Sequence, residues 1–172
     1  MSASFDAAYQ ASILSSNEGG YQLSNIPGDK GGQTFAGIAR NFHSDWYGWQ
    51  LIDSGAALNS TVLIDLVRDF YWKEFWLPIN GENLPPRIAQ QVFDMAINSA
   101  CDDAAKCLQL AIGTLLVDGS IGAKTCCAVS GADPIKLAAR FNAQRARHFA
   151  KCKPLQPGWF NRLADQIERG VA

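Results

Sequence analysis

The sequence predicts a mainly α-helical protein, and three observations lead to that prediction. Apolar residues recur at helical spacing in several long stretches, whereas strand patterns are weak throughout. Glycine and proline punctuate the chain between these stretches, as they do between short helices. A length of 172 residues, with 48% hydrophobic and 18% charged residues, suits a compact fold of one domain or one domain and a small addition.

In the N-terminal part, the first helix is predicted to start at Ser4, which we expect to act as its N-cap, and to stop at Gly19-Gly20. The stretch 21–37 is rich in Gly, Asn, Pro and Asp, so it predicts loops or a short β-hairpin. Residues 38–52 predict one or two short helices. Asn59 or Ser60 is expected to cap the longer helix that follows.

The remaining helices are predicted from local start and stop signals. Pro86 suits the first turn of one helix, and Gly113 suits the end of the next. A turn is expected at 117–122, and Asp133-Pro134 is expected to cap a long helix that reaches about Lys151. A final amphipathic helix follows Pro157.

Charge and cysteine usage exclude several classes of function. The formal net charge of −1 and the pI near 6.1 argue against nucleic-acid binding driven by charge. No apolar stretch is long enough for a membrane span, and no basic residue precedes Lys30, so we expect no signal peptide. Buried free thiols are expected, with one or two disulfides as the alternative, and no metal site is predicted at the five cysteines, Cys101, Cys107, Cys126, Cys127 and Cys152.

The pentad Asn17-Glu18-Gly19-Gly20-Tyr21 carries the first candidate for catalysis. Glu18 is predicted to lie near a helix C-terminus, whose partial negative charge raises a carboxyl pKa and keeps a general acid protonated. Asp29 could activate a water or stabilise positive charge, and Thr34 could hold that water. The alternative is a solvated helix end, an Asx turn at Asp29 and a capping Thr34, and spacing alone leaves both open.

Three motifs, in the same order, resemble those of glycoside hydrolase family 108. Glu18-Gly19-Gly20-Tyr21 with Asp29-x-Gly31-Gly32-x-Thr34-x-x-Gly37-Ile38 is similar to its opening motif. The segments 70–76 (FYWKEFW) and 93–99 (FDMAINS) are similar to two later motifs, so the resemblance covers residues 5–99. One departure is Ile26-Pro27-Gly28, which stands where relatives often have an Asp-Pro pair.

The resemblance implies a lysozyme-like helical domain over residues 1–100, with a short β-hairpin near the active site. It implies an N-acetylmuramidase of the phage endolysin and secretion activator type, which cuts the β-1,4 bond between N-acetylmuramic acid and N-acetylglucosamine in peptidoglycan. The family's catalytic acid carries over to Glu18, and Asp29 and Thr34 match motif positions. The alternatives are a non-catalytic peptidoglycan-binding or secretion-assisting protein, and a secreted cell-wall-degrading toxin with an immunity partner.

Four further residues are candidates for substrate binding: Tyr21, Trp76, Asp94 and Asn98. Asp94 and Asn98 are four residues apart and share one helix face with Gln91. This polar strip is interpreted either as the lining of a sugar cleft, with Asn98 donating to an N-acetyl carbonyl, or as a solvated face or a structural hydrogen bond that clamps the Glu18 loop. Trp76 is interpreted either as a sugar-stacking side chain or as core.

The C-terminal part carries a second resemblance. Residues 117–125 (VDGSIGAKT) resemble the Val-Asp-Gly-x-Ile-Gly-Pro-x-Thr signature of predicted peptidoglycan-binding helical domains, with Ala123 in place of the usual proline. We therefore expect residues 101–172 to form a small helical domain of that kind, packed against the first.

The implied partners are peptidoglycan glycan strands, with no nucleic acid, no cofactor and no metal. We expect a monomer made in the cytoplasm without a signal peptide, which acts in the periplasm or at the cell wall. A holin or a secretion system would then give it access to the wall, and an immunity partner would hold it in check if it is a toxin. The choice between inverting and retaining chemistry depends on a carboxylate separation that the sequence does not contain.

Overall fold

A computed structural model describes residues 1–14, 20–114, 116–153 and 157–171, with side chains described up to residue 168. The chain forms two compact units, residues 9–73 and residues 1–8 together with 74–172. Within the described ranges, no helix is both long enough and apolar enough to cross a membrane.

The unit of residues 9–73 contains a small antiparallel sheet. Its strands are β1 (Leu23–Asn25), β2 (Gln33–Phe35) and β3 (Ile38–Ala39), in the order β1-β2-β3. Phe35 pairs with Ile38, so only Ala36 and Gly37 connect β2 to β3, and both have positive φ, 49° and 79°. Such a pair of φ values matches the tight hairpin turn that favours glycine. The hairpin predicted between residues 21 and 37 is therefore part of a three-stranded sheet.

Two helices complete the core of this unit. They are α2 (Gly48–Asp53) and α3 (Thr61–Tyr71), which pack against each other. The Tyr71 hydroxyl donates a hydrogen bond of 2.8 Å to the Ala36 carbonyl, which joins α3 to the tight turn of the sheet. The buried apolar side chains are Tyr9, Ile13, Phe35, Ala36, Ile38, Trp49, Leu63, Val67 and Tyr71.

The other unit is mainly helical. Its complete helices are α4 (Pro86–Asn98), α5 (Cys101–Ile112), α6 (Ala123–Ser130), α7 (Pro134–Lys151) and α8 (Pro157–Val171), with a 3₁₀ turn at Gly81–Asn83. Elsewhere in the chain, α1 spans Ala3–Tyr9, and π-helical turns occupy Gln10–Leu14 and Trp72–Trp76. The mainly α class predicted from the periodicity is confirmed.

Helix α4 is the centre of its unit. It packs against α5, α7 and α8, and its apolar side chains from Ile88 to Ala96 are almost completely buried. Helices α4 and α5 lie in one compact unit. The boundary predicted between residues 100 and 101, which separates a lysozyme-like domain from a wall-binding one, stays a prediction.

Several predicted helix ends are present. The Asp133 carboxylate accepts hydrogen bonds from the backbone N–H groups of Ile135 and Lys136, both 3.0 Å, as an N-cap should. Gly113 ends α5 with a φ of 80°, a left-handed conformation that glycine adopts without a steric penalty. Pro86 is the first residue of α4.

The predicted cap of the first helix was wrong by two residues. Ser2, rather than Ser4, precedes the helix, and its hydroxyl accepts a hydrogen bond of 3.2 Å from the Phe5 N–H. Its carbonyl accepts a second bond of 3.0 Å from the Asp6 N–H. Ser4 already lies inside α1, because the helix starts at Ala3. Ser2 and Ser4 are both good N-cap residues, so the sequence pattern alone could not distinguish them.

A glycine fits closely against Trp76 in the helical unit. The Trp76 indole is fully buried between Phe5 and Phe93, with ring centroids 5.6 and 5.5 Å away, and its N–H donates a 2.6 Å hydrogen bond to Glu82. A Cβ atom added to Gly81 would lie 2.5 Å from two ring carbons of the same indole. The absence of a side chain at Gly81 therefore lets the 3₁₀ turn cover the ring.

We expect Gly81→Ala to lower the free energy of unfolding by roughly 1–3 kcal/mol, because the added methyl group overpacks the Trp76 site. Denaturant unfolding followed by tryptophan fluorescence measures the change. Gly158→Ala is the matched control, since a Cβ at that α8 position meets nothing within 4 Å. The control should be neutral or slightly stabilising, and equal values for the two variants would contradict the close fit.

Candidate active site

Glu18, the predicted general acid, lies outside the described residues. The described chain resumes at Gly20, whose φ of 56° lies in the left-handed region. A side chain at that position would be strained, so the second glycine of the motif has a local conformational reason. Tyr21 is the first candidate site residue that the structure describes.

Tyr21 is partly buried and is held by a second tyrosine. Its hydroxyl oxygen lies 3.1 Å from that of Tyr9, and its ring lies 6.5 Å from the Phe35 ring. Burial, and then the hydrogen bond with Tyr21, raise the pKa of the Tyr9 phenol far above its usual range. Tyr9 therefore stays neutral, and its hydroxyl contact helps to hold the Tyr21 side chain, three residues after Glu18 in the chain.

Asp29 lies in the loop that connects β1 to β2, and its side chain is exposed. Its Oδ1 accepts a hydrogen bond of 3.3 Å from the Gly31 N–H, which makes an Asx turn. Its backbone N–H donates to the Ile26 carbonyl at 3.1 Å. The turn holds the carboxylate in place and leaves it accessible to solvent, so the structural interpretation of Asp29 and the catalytic one are compatible.

The glycines of the motif shape this loop. Gly32 has a φ of 68°, and a Cβ there would lie 2.8 Å from Nδ2 of Asn41. That same Nδ2 donates a hydrogen bond of 2.9 Å to the Lys30 carbonyl. Glycine at position 32 thus lets the Asn41 amide approach and clamp the loop that presents Asp29. A catalytic carboxylate must be held in a defined position, and this loop conformation fixes the position of Asp29.

Thr34 stands on β2, opposite Ser24 on β1, and is partly buried. Its hydroxyl donates a hydrogen bond of 3.3 Å to the Gly32 carbonyl. Asp29 and Thr34 thus belong to one hairpin, in which each bonds to a different backbone group. The predicted role of Thr34 as a cap of the following helix does not apply, because the residue lies in a strand.

Asn98 lies in the helical unit, and its side-chain amide is a candidate group for binding a ligand. Asn98, at the end of α4, is partly buried, and its Nδ2 has no hydrogen-bond partner among the described residues. A buried donor without a partner is costly and usually has an explanation, such as a water or a ligand. Substrate binding by Asn98 stays a prediction.

Trp76, predicted to stack on a sugar, is placed in the core of the helical unit. Its side chain has no exposed surface and is packed as described above. Its position supports the interpretation of Trp76 as a core residue. A fully buried indole has no ring face available for stacking on a sugar.

Asp94 is fully buried and forms two ion pairs with arginines. Its Oδ2 accepts from Arg145 Nη2 at 2.5 Å, and its Oδ1 accepts from Arg162 Nε at 2.7 Å. Burial lowers the pKa of the Arg145 guanidinium, and the adjacent Asp94 carboxylate opposes that shift. The Asp94 carboxylate has no exposed surface with which to meet a sugar. A structural role, which links α4 to α7 and α8, accounts for it.

The polar strip of α4 continues this internal network. Gln91 is almost completely buried, and its Oε1 accepts a hydrogen bond of 3.2 Å from Asn142 of α7. The side of α4 that carries Gln91 and Asp94 is therefore covered by other helices.

Sequence reasoning missed Arg145, although a signal for it was present. Positions 137, 141, 145 and 149 form a stripe at a spacing of four on the buried face of α7, and Arg145 is the one charged residue among Leu137, Phe141 and Phe149. A charged residue on an apolar face seldom lies buried without a partner. That position could have indicated a buried acid elsewhere in the chain.

The five cysteines form no disulfide, and the pKa shifts of two of them disfavour the reactive thiolate. All five are free thiols, and burial raises the pKa of both Cys101 and Cys107 to about 11. No group of three or more His, Cys, Asp or Glu side chains that could hold a metal ion occurs in the part of the chain that the structure describes.

The family model described as Glycosyl hydrolase 108 matches residues 11–100, a little over half of the chain. The chain belongs to glycosyl hydrolase family 108. Membership makes it a glycoside hydrolase, and the substrate class that this match supports is peptidoglycan. The matched segment includes Glu18, Asp29, Thr34 and the α4 motif.

A solved structure has the same fold as this family 108 protein. The chain is similar to the structure of Brucella abortus SagA, with a TM-score of 0.76 and 24% sequence identity, over 97% of this chain and 93% of that one. At this level of identity the likeness shows the fold alone, and it confirms the predicted lysozyme-like architecture. None of the curated proteins matches the sequence significantly.

Proposed function

We propose that this family 108 protein is an N-acetylmuramidase that cleaves the β-1,4 bond between N-acetylmuramic acid and N-acetylglucosamine. The observation that carries the proposal is the family match over residues 11–100, which contains the whole Glu18–Thr34 motif. Peptidoglycan is the polymer in which this bond occurs.

In the proposed reaction, Glu18 is the general acid. Its carboxyl group gives its proton to the glycosidic oxygen as the bond to the anomeric carbon breaks, and the sugar that leaves carries a new hydroxyl group. Positive charge develops at the anomeric carbon, and a carboxylate nearby stabilises that charge or activates the attacking water.

Asp29 is the proposed second carboxylate. Its exposure and its fixed position in an Asx turn support this role, because a base or a charge stabiliser must be both accessible and oriented. Thr34 is the proposed partner for the water, since its hydroxyl already donates to the Gly32 carbonyl and retains lone pairs to accept a second bond.

Two polar groups are proposed to contact the sugars. Tyr21 would form a wall of the site, supported by its anchored ring. Asn98 would donate its Nδ2 hydrogens, which lack a partner in the described chain, to an N-acetyl carbonyl. Residues 101–172 are proposed to take part in wall binding.

The location and partners follow from the substrate. The enzyme would act in the periplasm or at the cell wall as a monomer, and a holin or a secretion machine would give it access. In the case of a secreted toxin, an immunity protein would protect the producer.

End-group analysis of the products tests the proposed bond. Purified sacculi are digested with the enzyme, the new reducing ends are reduced with borohydride, and the products are hydrolysed and separated. We expect the reduced sugar to be muramitol, because a muramidase leaves N-acetylmuramic acid at the new reducing end. Reduced glucosamine would instead identify a glucosaminidase. No new reducing ends at all would favour the non-catalytic wall-binding alternative.

A further inference from the structure

A long groove runs between α5 and α7 in the helical unit. It consists of three adjoining cavities of about 190, 360 and 230 Å³. The first two share Ala111, Ile112 and Arg140, and the second and third share Leu110, Gln144 and Arg147. We call this continuous depression the α5–α7 groove.

One edge of the α5–α7 groove is a row of basic side chains on α7. Lys136, Arg140, Arg147 and Lys151 are all exposed, and Gln144 fills the gap in the row. At 100° per residue, the four basic positions fall within about 60° of one another around the helix, and the row is about 22 Å long. Lys106 of α5 adds a fifth basic side chain from the opposite edge.

The charge of the groove differs from that of the rest of the chain. Five Lys or Arg residues line it, against two acids, Asp103 and Asp133. The whole chain has 15 basic and 16 acidic residues, so basic residues are in the minority elsewhere. Among the described residues, none of the four exposed basic side chains of the row forms a salt bridge, whereas Lys106 is paired with Asp102. A groove of this kind attracts anions locally, although the protein as a whole does not.

The side chains on the floor of the groove indicate which class of anionic ligand it can bind. The floor is formed by small and aliphatic side chains, Leu110, Ala111, Ile112 and Ala143. Among the described residues, no aromatic side chain lines it apart from the imidazole of His148. Single-stranded nucleic acids are held by aromatic stacking as well as by charge, so this floor disfavours them. The ligand that fits is an extended chain with both short methyl-bearing side chains and carboxylates. The methyl groups would contact the floor, and the carboxylates would pair with the basic edge.

We propose that the α5–α7 groove binds the acidic peptide stems of peptidoglycan, whose alanine methyl groups lie on the floor and whose carboxylates pair with the α7 row. The proposal rests on peptidoglycan as the substrate class of the proposed function. The groove would hold the polymer through its peptides, separately from the sugar chemistry at Glu18.

Charge reversal at the centre of the row tests this proposal. The double variant Arg140→Glu/Arg147→Glu is compared with Lys124→Glu/Lys153→Glu, which reverses two exposed basic residues that do not line the groove. Sedimentation on ice measures binding to purified sacculi, and fluorescence polarisation on ice measures binding to end-labelled soluble glycan strands whose peptides have been removed by an amidase. Thermal unfolding midpoints confirm that all variants are folded.

The groove variant should bind sacculi about tenfold more weakly than the wild type, and the control variant should bind like the wild type. Binding of wild type to sacculi should weaken as salt is raised from about 0.05 to about 0.5 M, and the groove variant should show a smaller dependence. Peptide-free strands should bind equally to all three proteins.

Other outcomes would overturn the proposal. Equal binding of sacculi by the groove and control variants would exclude the groove, and a tenfold difference on peptide-free strands would mean that it recognises sugars. A loss of affinity for duplex DNA in place of sacculi would identify a nucleic-acid groove. Release of reducing ends is measured on the same samples, so a protein that binds through the groove but releases none would contradict the proposed hydrolase and leave the groove intact.

Discussion

Glu18→Gln should reduce the rate of peptidoglycan hydrolysis by about a thousandfold, the largest effect that we expect from a single substitution. Glutamine has nearly the same shape as glutamate but carries no acidic proton, so the leaving sugar oxygen would not be protonated. Release of reducing ends from sacculi, followed over time, measures the rate. Glu168→Gln, the same chemical change at an exposed position of α8, should leave the rate unchanged.

The pH profile gives this variant a second readout. A general acid must be protonated, so the wild-type rate should fall as the pH rises above the pKa of Glu18. The residual rate of Glu18→Gln should lack that fall. A variant with wild-type rate and profile would exclude Glu18 as the acid. Asp29→Asn, measured in parallel, shows whether Asp29 supplies the second carboxylate, because a loss comparable to that of Glu18→Gln would place both in the reaction.

Asp94→Asn should lower the free energy of unfolding by about 3–5 kcal/mol. The substitution keeps the shape of the side chain but removes the negative charge that Arg145 and Arg162 share inside the helical unit. Two buried guanidinium groups would then face each other without their counter-charge, at a site from which water is excluded. Denaturant unfolding by circular dichroism measures the loss.

The control for this measurement is Asp165→Asn, which removes an exposed carboxylate from α8. Surface charges contribute little, so its free energy of unfolding should stay within about 0.5 kcal/mol of the wild type. A comparably small effect at Asp94 would contradict the buried ion pairs. Activity per folded molecule should be the same in both variants, since Asp94 has no exposed surface.

The helices could largely be predicted from the sequence because their ends carry local signals. Asp133 followed by proline, and the glycine at position 113, act within one helical turn of their own position. The strands could not be predicted in the same way. They are three, three and two residues long, which is too short for an alternating pattern to appear.

The site was harder to predict because its polar residues depend on distant partners. Gln91 and Asp94 form a polar strip in the sequence, and such a strip indicates solvent or a ligand equally well. Their partners, Asn142, Arg145 and Arg162, lie 51 and 68 residues further along the chain, and only packing shows that α7 and α8 cover the strip. In contrast, the hairpin of Asp29 and Thr34 is local, and its glycine spacing could be recognised.

The ion pairs at Asp94 limit how this enzyme can be divided. A lytic enzyme assembled by joining residues 1–100 to a foreign targeting segment would keep Asp94 and lose both of its arginines. The freed carboxylate and the uncovered face of α4 would then meet water, and such a chimera would be prone to aggregation. Any redesign of the C-terminal helices would therefore have to replace surface residues in place, because those helices support the α4 motif.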